Sequence, residues 1–245
     1  SANDSAGIMR PAKGVLLHGP PGTGKTMLAK AIAKEAGAFF ISVSLSSLEN
    51  KWFGESNKLL LGLFTLAEKL APTVIFFDEL DGIGKTRSEN DQNHTASMKA
   101  QLLSLMDGVT TNSACPLVFV AATNRIDEID KAFQRRLRRH IEVALPTEEE
   151  RAEILQKMLQ SHKSIDYAKL ALLTPEYSGS DLNELCRVAN SIRLEAYLSS
   201  CNLTALEVAA GHHCDFSRLP RLSQDMLEKA VVQLTRSTHA AYEGK

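Results

Sequence analysis

An α/β architecture, a doubly wound parallel sheet followed by a smaller all-helical domain, is what this sequence predicts, and three observations predict it. Short, wholly apolar runs suited to strands alternate with segments of helical periodicity through residues 1–146. A Gly- and Pro-rich turn joins the first such run to the first helical segment. Beyond Leu145 and Pro146 no strand-like run occurs, and amphipathic helical patterns follow one another. The expected domains are therefore residues 1–146, α/β, and residues 147–245, a small all-helical lid domain.

The elements follow in order. Residues 14–18 form a strand around Val15, Leu16 and Leu17, and residues 27–36 an alanine-rich helix. Residues 38–43 read as the second strand. Residues 57–70 then place Leu60, Leu63, Phe64, Ala67 and Leu70 at helical spacing before Pro72 closes the run. Residues 74–77 are apolar at every position, as a parallel strand covered on both faces requires. A helix over 95–106, an interior strand over 117–122 and a further strand over 141–144 complete the first domain. In the second, helices are expected over 148–159, 180–198 and 224–235, with Ser180 as the N-cap within the 178–181 segment. Residues 199–219 lack periodicity and read as a long connection, and residues 1–7, small and polar, as a linker end.

Composition narrows the function classes. Lys plus Arg number 28 against 29 Asp plus Glu, a net charge of −1, which argues against a general nucleic-acid binder. Apolar residues at 44% and charged residues at 23% exclude a disordered or collagen-like chain. The longest apolar run, 117–122, falls far short of the roughly 20 residues of a membrane span, so a soluble chain is expected. Cys115, Cys186, Cys201 and Cys214 form no C-x-x-C pair and imply a reduced compartment. His212, His213 and Cys214 near Cys201 match no common zinc spacing and read as loop.

The chemistry lies at the strand ends. Gly19, Pro20, Pro21, Gly22, Thr23, Gly24, Lys25 and Thr26 fit G-x-x-x-x-G-K-[ST] between a strand and a helix that opens with Met27. Such a loop turns backbone N–H groups onto phosphates, aided by the helix N-terminus. Lys25 would reach the β/γ-phosphates and Thr26 would ligate Mg²⁺. The strand over 74–77 ends in Asp78 and Glu79, whose side chains alternate: Asp78 is assigned to the Mg²⁺ shell and Glu79 to polarising an attacking water. The strand over 117–122 delivers Asn124 to the same edge, either to hold that water or touch the γ-phosphate, or simply to form a turn. Arg135 and Arg136 follow a short helical stretch, and are either a solvated face or arginine fingers reaching a neighbouring subunit. Trp52 and Phe53, between Lys51 and Gly54-Glu55, are either core or an exposed loop that grips extended polypeptide.

In combination and order, GPPGTGKT, FFDELD, AATNR, the Arg135-Arg136 pair and Ser178-Gly179-Ser180-Asp181-Leu182 resemble the AAA+ ATPases, over the chain from Gly14 onward. Lys51-Trp52-Phe53-Gly54-Glu55-Ser56 is similar to the meiotic clade, and residues 64–70 and 98–108 to its mitochondrial tail-anchored-protein extractases. The resemblance implies a homo-hexameric ring with ATP bound between subunits and a polypeptide threaded through its pore. It makes Lys25 and Thr26 Walker A, Asp78 and Glu79 Walker B, Asn124 sensor 1, Arg135 and Arg136 the fingers, and Trp52 and Phe53 the first pore loop. Gly179 and Ser180 take the sensor 2 position, where this clade lacks an arginine. At the second pore loop the extractases typically show Asp-His-Glu, and this chain has Asp91-Gln92-Asn93 with His94 next.

The expectation is an ATPase that extracts mislocalised tail-anchored proteins at the mitochondrial outer membrane, facing the cytosol, with the peroxisome as a second address. The anchor would be a membrane-spanning helix upstream of these residues. Its cofactors would be ATP and Mg²⁺, its partners further copies of itself and polypeptide, not nucleic acid. Rival readings are a meiotic-clade remodeller of ESCRT filaments or microtubules, a nucleotide-gated scaffold without turnover, and a monomeric P-loop kinase.

Overall fold

The computed structural model describes residues 13–45, 55–82, 89–111, 116–160, 164–201, 204, 207 and 215–243. They divide between Ala144 and Leu145 into two compact units.

In the first unit, strands β1 (Gly14–His18), β2 (Phe39–Ser44), β3 (Thr73–Asp78), β4 (Leu117–Thr123) and β5 (Arg139–Glu142) form a parallel sheet in the order β2-β3-β4-β1-β5. Parallel strands need crossovers, and these are α1 (Lys25–Glu35), α2 (Glu55–Lys69), α3 (Glu89–Thr111) and the short α4 (Lys131–Arg136). Because side chains alternate along a strand, the all-apolar runs feed two cores at once. Leu16, Ile75, Phe77, Phe119 and Ala121 meet Leu60 and Phe64 of α2, Met98, Leu102 and Met106 of α3 and Phe133 of α4. Leu17, Val74, Phe76, Val120 and Ala122 on the other face meet Ala29 and Ala33 of α1. Phe119 anchors the first core, its ring 5.7 Å from that of Phe64 and 6.3 Å from that of Phe77.

In this unit the last strand and the third crossover helix depart most from the sequence expectation. The last strand is Arg139–Glu142 and not 141–144: all four of its residues are exposed, and it pairs on one side only, with β1. An edge strand carries no apolar signature, so the apolar pattern pointed past it. The helix expected over 95–106 runs Glu89–Thr111.

The second unit packs α5 (Glu148–Met158), α6 (Tyr167–Leu172), α7 (Gly179–Ser200) and α8 (Gln224–Glu243) around Leu155, Leu170, Leu182, Leu185, Ala189 and Leu227. Thr147 and Glu150 form a capping box at α5. At α7 the N-cap is Ser178 and not Ser180: Ser178 accepts from the Asp181 N–H, and Asp181 accepts from the Ser178 N–H at 2.8 Å. The reciprocal box needs an acidic side chain three residues on, and only Ser178 has one. Helix α6, six residues long, is too short to show a period. Residues 208–214, which include His212, His213 and Cys214, lie outside the described residues.

Gly14 and Gly62 make opposite demands. A Cβ on Gly14 would stand 2.2 Å from the Arg136 carbonyl oxygen, which the return of α4 to β5 holds there, whereas one on Gly62 in α2 meets nothing within 4 Å. Gly14→Ala is expected to destabilise by about 1–3 kcal/mol and Gly62→Ala to stabilise by about 0.5–1 kcal/mol in urea denaturation. Equal effects would mean that β1 does not press on the end of α4.

Candidate functional site

Beyond β1 the chain must turn sharply from strand to helix. Gly19, Gly22 and Gly24 make the turn with φ of 140°, 76° and 91°, a region that side chains resist. At Gly19 a Cβ would also lie 2.2 Å from the Val143 carbonyl oxygen, so the position is closed to any other residue twice over. Gly24 is the N-cap of α1 and offers no side-chain hydrogen bond, and the first turn holds no acidic residue. The N–H groups that open α1 therefore have no side-chain acceptor at the cap and face outward with the positive end of the helix dipole.

Lys25 is 8% exposed, and its Nζ donates to the carbonyl oxygens of Gly19 at 2.9 Å and Pro20 at 2.7 Å. Burial holds the ammonium below its usual range, and the nearby Asp78 and Asp81 charges act in the opposite direction. Thr23 Oγ1 donates to Pro20 O at 3.0 Å and braces the same turn. Met27 stands 75% exposed on α1.

Strand β3 brings its last residue to this loop. Thr26 Oγ1 donates to Asp78 Oδ2 at 3.1 Å, and Asp78 Oδ1 accepts from the Glu79 N–H at 3.0 Å. Two hard oxygen donors thus sit side by side, a donor set that suits Mg²⁺. Glu79 is exposed and holds φ at +52°, a left-handed conformation that costs a non-glycine residue roughly 1–2 kcal/mol. Its carbonyl accepts from the Gly82 N–H at 2.8 Å, closing the 3₁₀ turn Leu80–Gly82. The turn that breaks the strand and points Glu79 out to solvent is thereby held in place.

Strand β4 ends level with β1, His18 opposite Thr123, so Asn124 emerges exposed beside the glycine loop. Two residues that sequence reasoning passed over also lie here. Thr123, 1% exposed, donates its hydroxyl to Asp81 Oδ1 at 2.8 Å and accepts from the Arg125 N–H at 3.0 Å. A buried threonine closing an apolar strand was the available signal.

The structure separates the arginines from the rest. They occupy the last turn of α4 itself, not the chain after it, and the Arg136 carbonyl lies against Gly14, at the opposite end of β1 from the glycine loop. Five residues of strand put those ends about 13 Å apart. Arg135 is exposed. Arg136 Nε donates to Asp107 Oδ1 at 2.8 Å, its second nitrogen pairs with Asp107 Oδ2, and a third donates to Ala132 O at 2.9 Å. Asp130 caps α4 by accepting from Ala132 N–H at 2.7 Å and pairs with Lys99, which holds its carboxyl below the usual range. Gly179 and Ser180 open α7 in the second unit. Trp52 and Phe53 lie outside the described residues.

A known family matches this sheet and its loops: residues 15–145 fit the model of the ATPase family associated with various cellular activities (AAA). The chain is 38% identical over 243 residues to the outer mitochondrial transmembrane helix translocase of Homo sapiens and to that of Bos taurus, covering 98% of this chain and 65% of each relative. A Danio rerio protein of the same name is 44% identical over 185 residues, covering 74% of this chain and 51% of its own length. The chain thus spans between about half and just under two thirds of the length of these curated relatives. Among solved structures, the FIGL-1 AAA domain in complex with ADP aligns with a TM-score of 0.77 at 31% identity, over 97% of this chain and 79% of that one. A five-stranded parallel sheet with its glycine loop, carboxylate pair and Asn124 at one edge, matched by the family over that whole unit, places this chain in the AAA family of ATPases.

Proposed function

We propose that this chain is the motor of a homo-hexameric ATPase that extracts tail-anchored proteins from the mitochondrial outer membrane. One observation carries the catalytic half of this reading. Lys25, Thr26, Asp78, Glu79 and Asn124 converge on one edge of the sheet, while Arg135 and Arg136 stand at the far end of β1. A chain so arranged holds the parts for binding and for activating water at one edge, and the distance of its own arginines from that edge supports their delivery by a neighbour. The membrane-protein substrate is supported by the name of the mammalian and fish relatives, outer mitochondrial transmembrane helix translocase, and its tail-anchored class by the resemblance of residues 64–70 and 98–108 to the extractases.

Thr26 and Asp78 would hold Mg²⁺, which supplies neutralisation of charge at the phosphates. The amides of the glycine loop and α1 orient the nucleotide, Lys25 exchanges its two carbonyl partners for phosphate oxygens, and Glu79 with Asn124 aligns the attacking water. Arg135 of one subunit completes the site of the next. Trp52 and Phe53 would grip the threaded polypeptide, and Gly179 and Ser180, with the second unit, would move with the nucleotide state.

Glu79→Gln is expected to lower turnover by about a hundredfold or more while leaving nucleotide binding in place. Glu79→Gly, which relieves the positive φ, should lose turnover too, yet be about 1 kcal/mol more stable than Glu79→Ala in denaturant melts. If the glycine variant is no more stable, the strain at Glu79 is absent.

Arg135→Ala should cost about 10³–10⁵-fold in turnover by analogy with other arginine fingers. Mixing inactive Arg135→Ala chains with inactive Lys25→Ala chains should restore part of the activity, because mixed interfaces pair an intact loop with an intact arginine. No recovery in the mixture would exclude an arginine acting between subunits.

The substrate half is tested with the chain tethered to liposomes that hold a tail-anchored reporter, with Glu79→Gln as the blank. ATP-dependent release is expected, and Trp52→Ala should stop release while sparing hydrolysis. Hydrolysis without release would instead favour remodelling of filaments.

A further inference from the structure

Asn124 and Arg125 are both exposed. On the far side of Asn124 the chain is held by the Arg125–Glu128 pair at 2.7 Å and by Ile126 against the first core, and on the near side it is held by Thr123. Thr123 sits in β4 opposite His18, the last residue before the glycine loop, and it is buried to 1% exposure. Its hydroxyl is used twice: it accepts from the Arg125 N–H at 3.0 Å, which folds the chain tightly around Asn124, and it donates to Asp81 Oδ1 at 2.8 Å. Asp81 belongs to the 3₁₀ turn that begins right after Glu79, and that turn is closed by the Gly82 N–H on the Glu79 carbonyl at 2.8 Å.

Two hydrogen bonds thus link the backbone that holds Asn124 to the backbone that holds Glu79. The register supports the link, because Phe77 lies opposite Ala121, so Thr123 falls level with residue 79 just where β3 stops pairing with β4. Beyond Ala121 the two strand ends have no shared ladder, and the Thr123–Asp81 bond takes over the task. A bond from a buried hydroxyl to a carboxylate is of the stronger, charge-assisted kind. Two groups that must hold one water molecule need relative placement within about half an ångström, which a flexible loop alone does not supply.

We propose that Thr123 and Asp81 form a latch that sets the distance between Asn124 and Glu79, making both positioning residues for ATP hydrolysis. This rests on the ATPase reading above. Neither residue is proposed to touch the nucleotide. The latch also accounts for a threonine, rather than an apolar residue, as the closing side chain of an interior strand.

The test separates the hydroxyl from the packing of its methyl. Thr123→Val keeps the shape and removes the hydroxyl, and Thr123→Ser does the reverse. At a protein concentration where turnover per chain has levelled off, Thr123→Val should lower kcat by about 10- to 100-fold with KM for ATP and affinity for ADP within about twofold of the starting chain. Thr123→Ser should retain kcat within about threefold, and Asp81→Ala should match Thr123→Val, with the double variant no worse than either single one. Amide hydrogen exchange gives a readout independent of turnover: the Arg125 amide should exchange at least about tenfold faster in Thr123→Val and not in Thr123→Ser. Full kcat or unchanged Arg125 exchange in Thr123→Val overturns the latch, as does an equal loss in the valine and serine variants, which would assign Thr123 to packing. A starting chain that binds ATP without hydrolysing it overturns the ATPase reading and with it the catalytic role of the latch, whatever the exchange data show.

Discussion

The constraint on which the rest depends is that all the strands run the same way. A parallel sheet gathers the carboxyl ends of its strands at one edge, and each strand must be followed by a chain segment that leaves that edge and returns by a crossover. The glycine loop, the Asp78–Glu79 pair and the Asn124 turn are those departing segments for β1, β3 and β4. Their convergence follows from the burial of Leu16, Phe77, Phe119 and their neighbours, which fixes the register, and not from any attraction among the site residues. The fold positions the chemistry because the two apolar cores position the strands.

The same geometry sets the arginines apart from the glycine loop. A residue that leads into a strand stands at the amino edge, and α4 leads into β5, so its arginines fall at the wrong end for their own chain's loop. Gly14 records this closeness: without a side chain it lets the Arg136 carbonyl approach the start of β1. Asp107 further ties Arg136 to α3, which leaves Arg135 as the exposed member of the pair. In the hexamer proposed above, an arginine far from its own loop would make assembly a condition of turnover and would couple each site to the next.

Most of the fold was legible because interior parallel strands and crossover helices are apolar in distinct periods. The three interior strands, β3, β4 and β1, were placed to within a residue at each end, since burial on both faces leaves little ambiguity. Edge strand β5 was misplaced by two residues because exposed Arg139 and His140 carry no such mark. The Ser178 cap was missed because its identity depends on a reciprocal bond to Asp181, which the spacing permits but an adjacent serine obscures. In the site, motifs named Lys25, Thr26, Asp78, Glu79 and Asn124, each of which carries its own chemistry. Thr123 and Asp81 carry none until they are brought within 2.8 Å, and that proximity belongs to the register of β3 against β4.

The glycine loop is shaped for an anion, and together with the positive-φ glycines and Thr23 it is Lys25 that shapes it. Its ammonium, buried and held below its ordinary range, bridges the Gly19 and Pro20 carbonyls and so draws the turn around itself. A phosphate that enters need not order a flexible segment, an expense that ordinarily weakens binding by about 0.5–1.5 kcal/mol for each side chain immobilised. It exchanges two carbonyl partners of one cation for its own oxygens, which form charge-assisted bonds to the same donor. Glu79 follows the opposite logic, since its positive φ is a standing cost that points a carboxylate into solvent where a water can meet it. The loop is thus pre-shaped while Glu79 is strained, and the motor proposed above would use both: nucleotide held firmly between steps, and hydrolysis dependent on the neighbour proposed to complete the site.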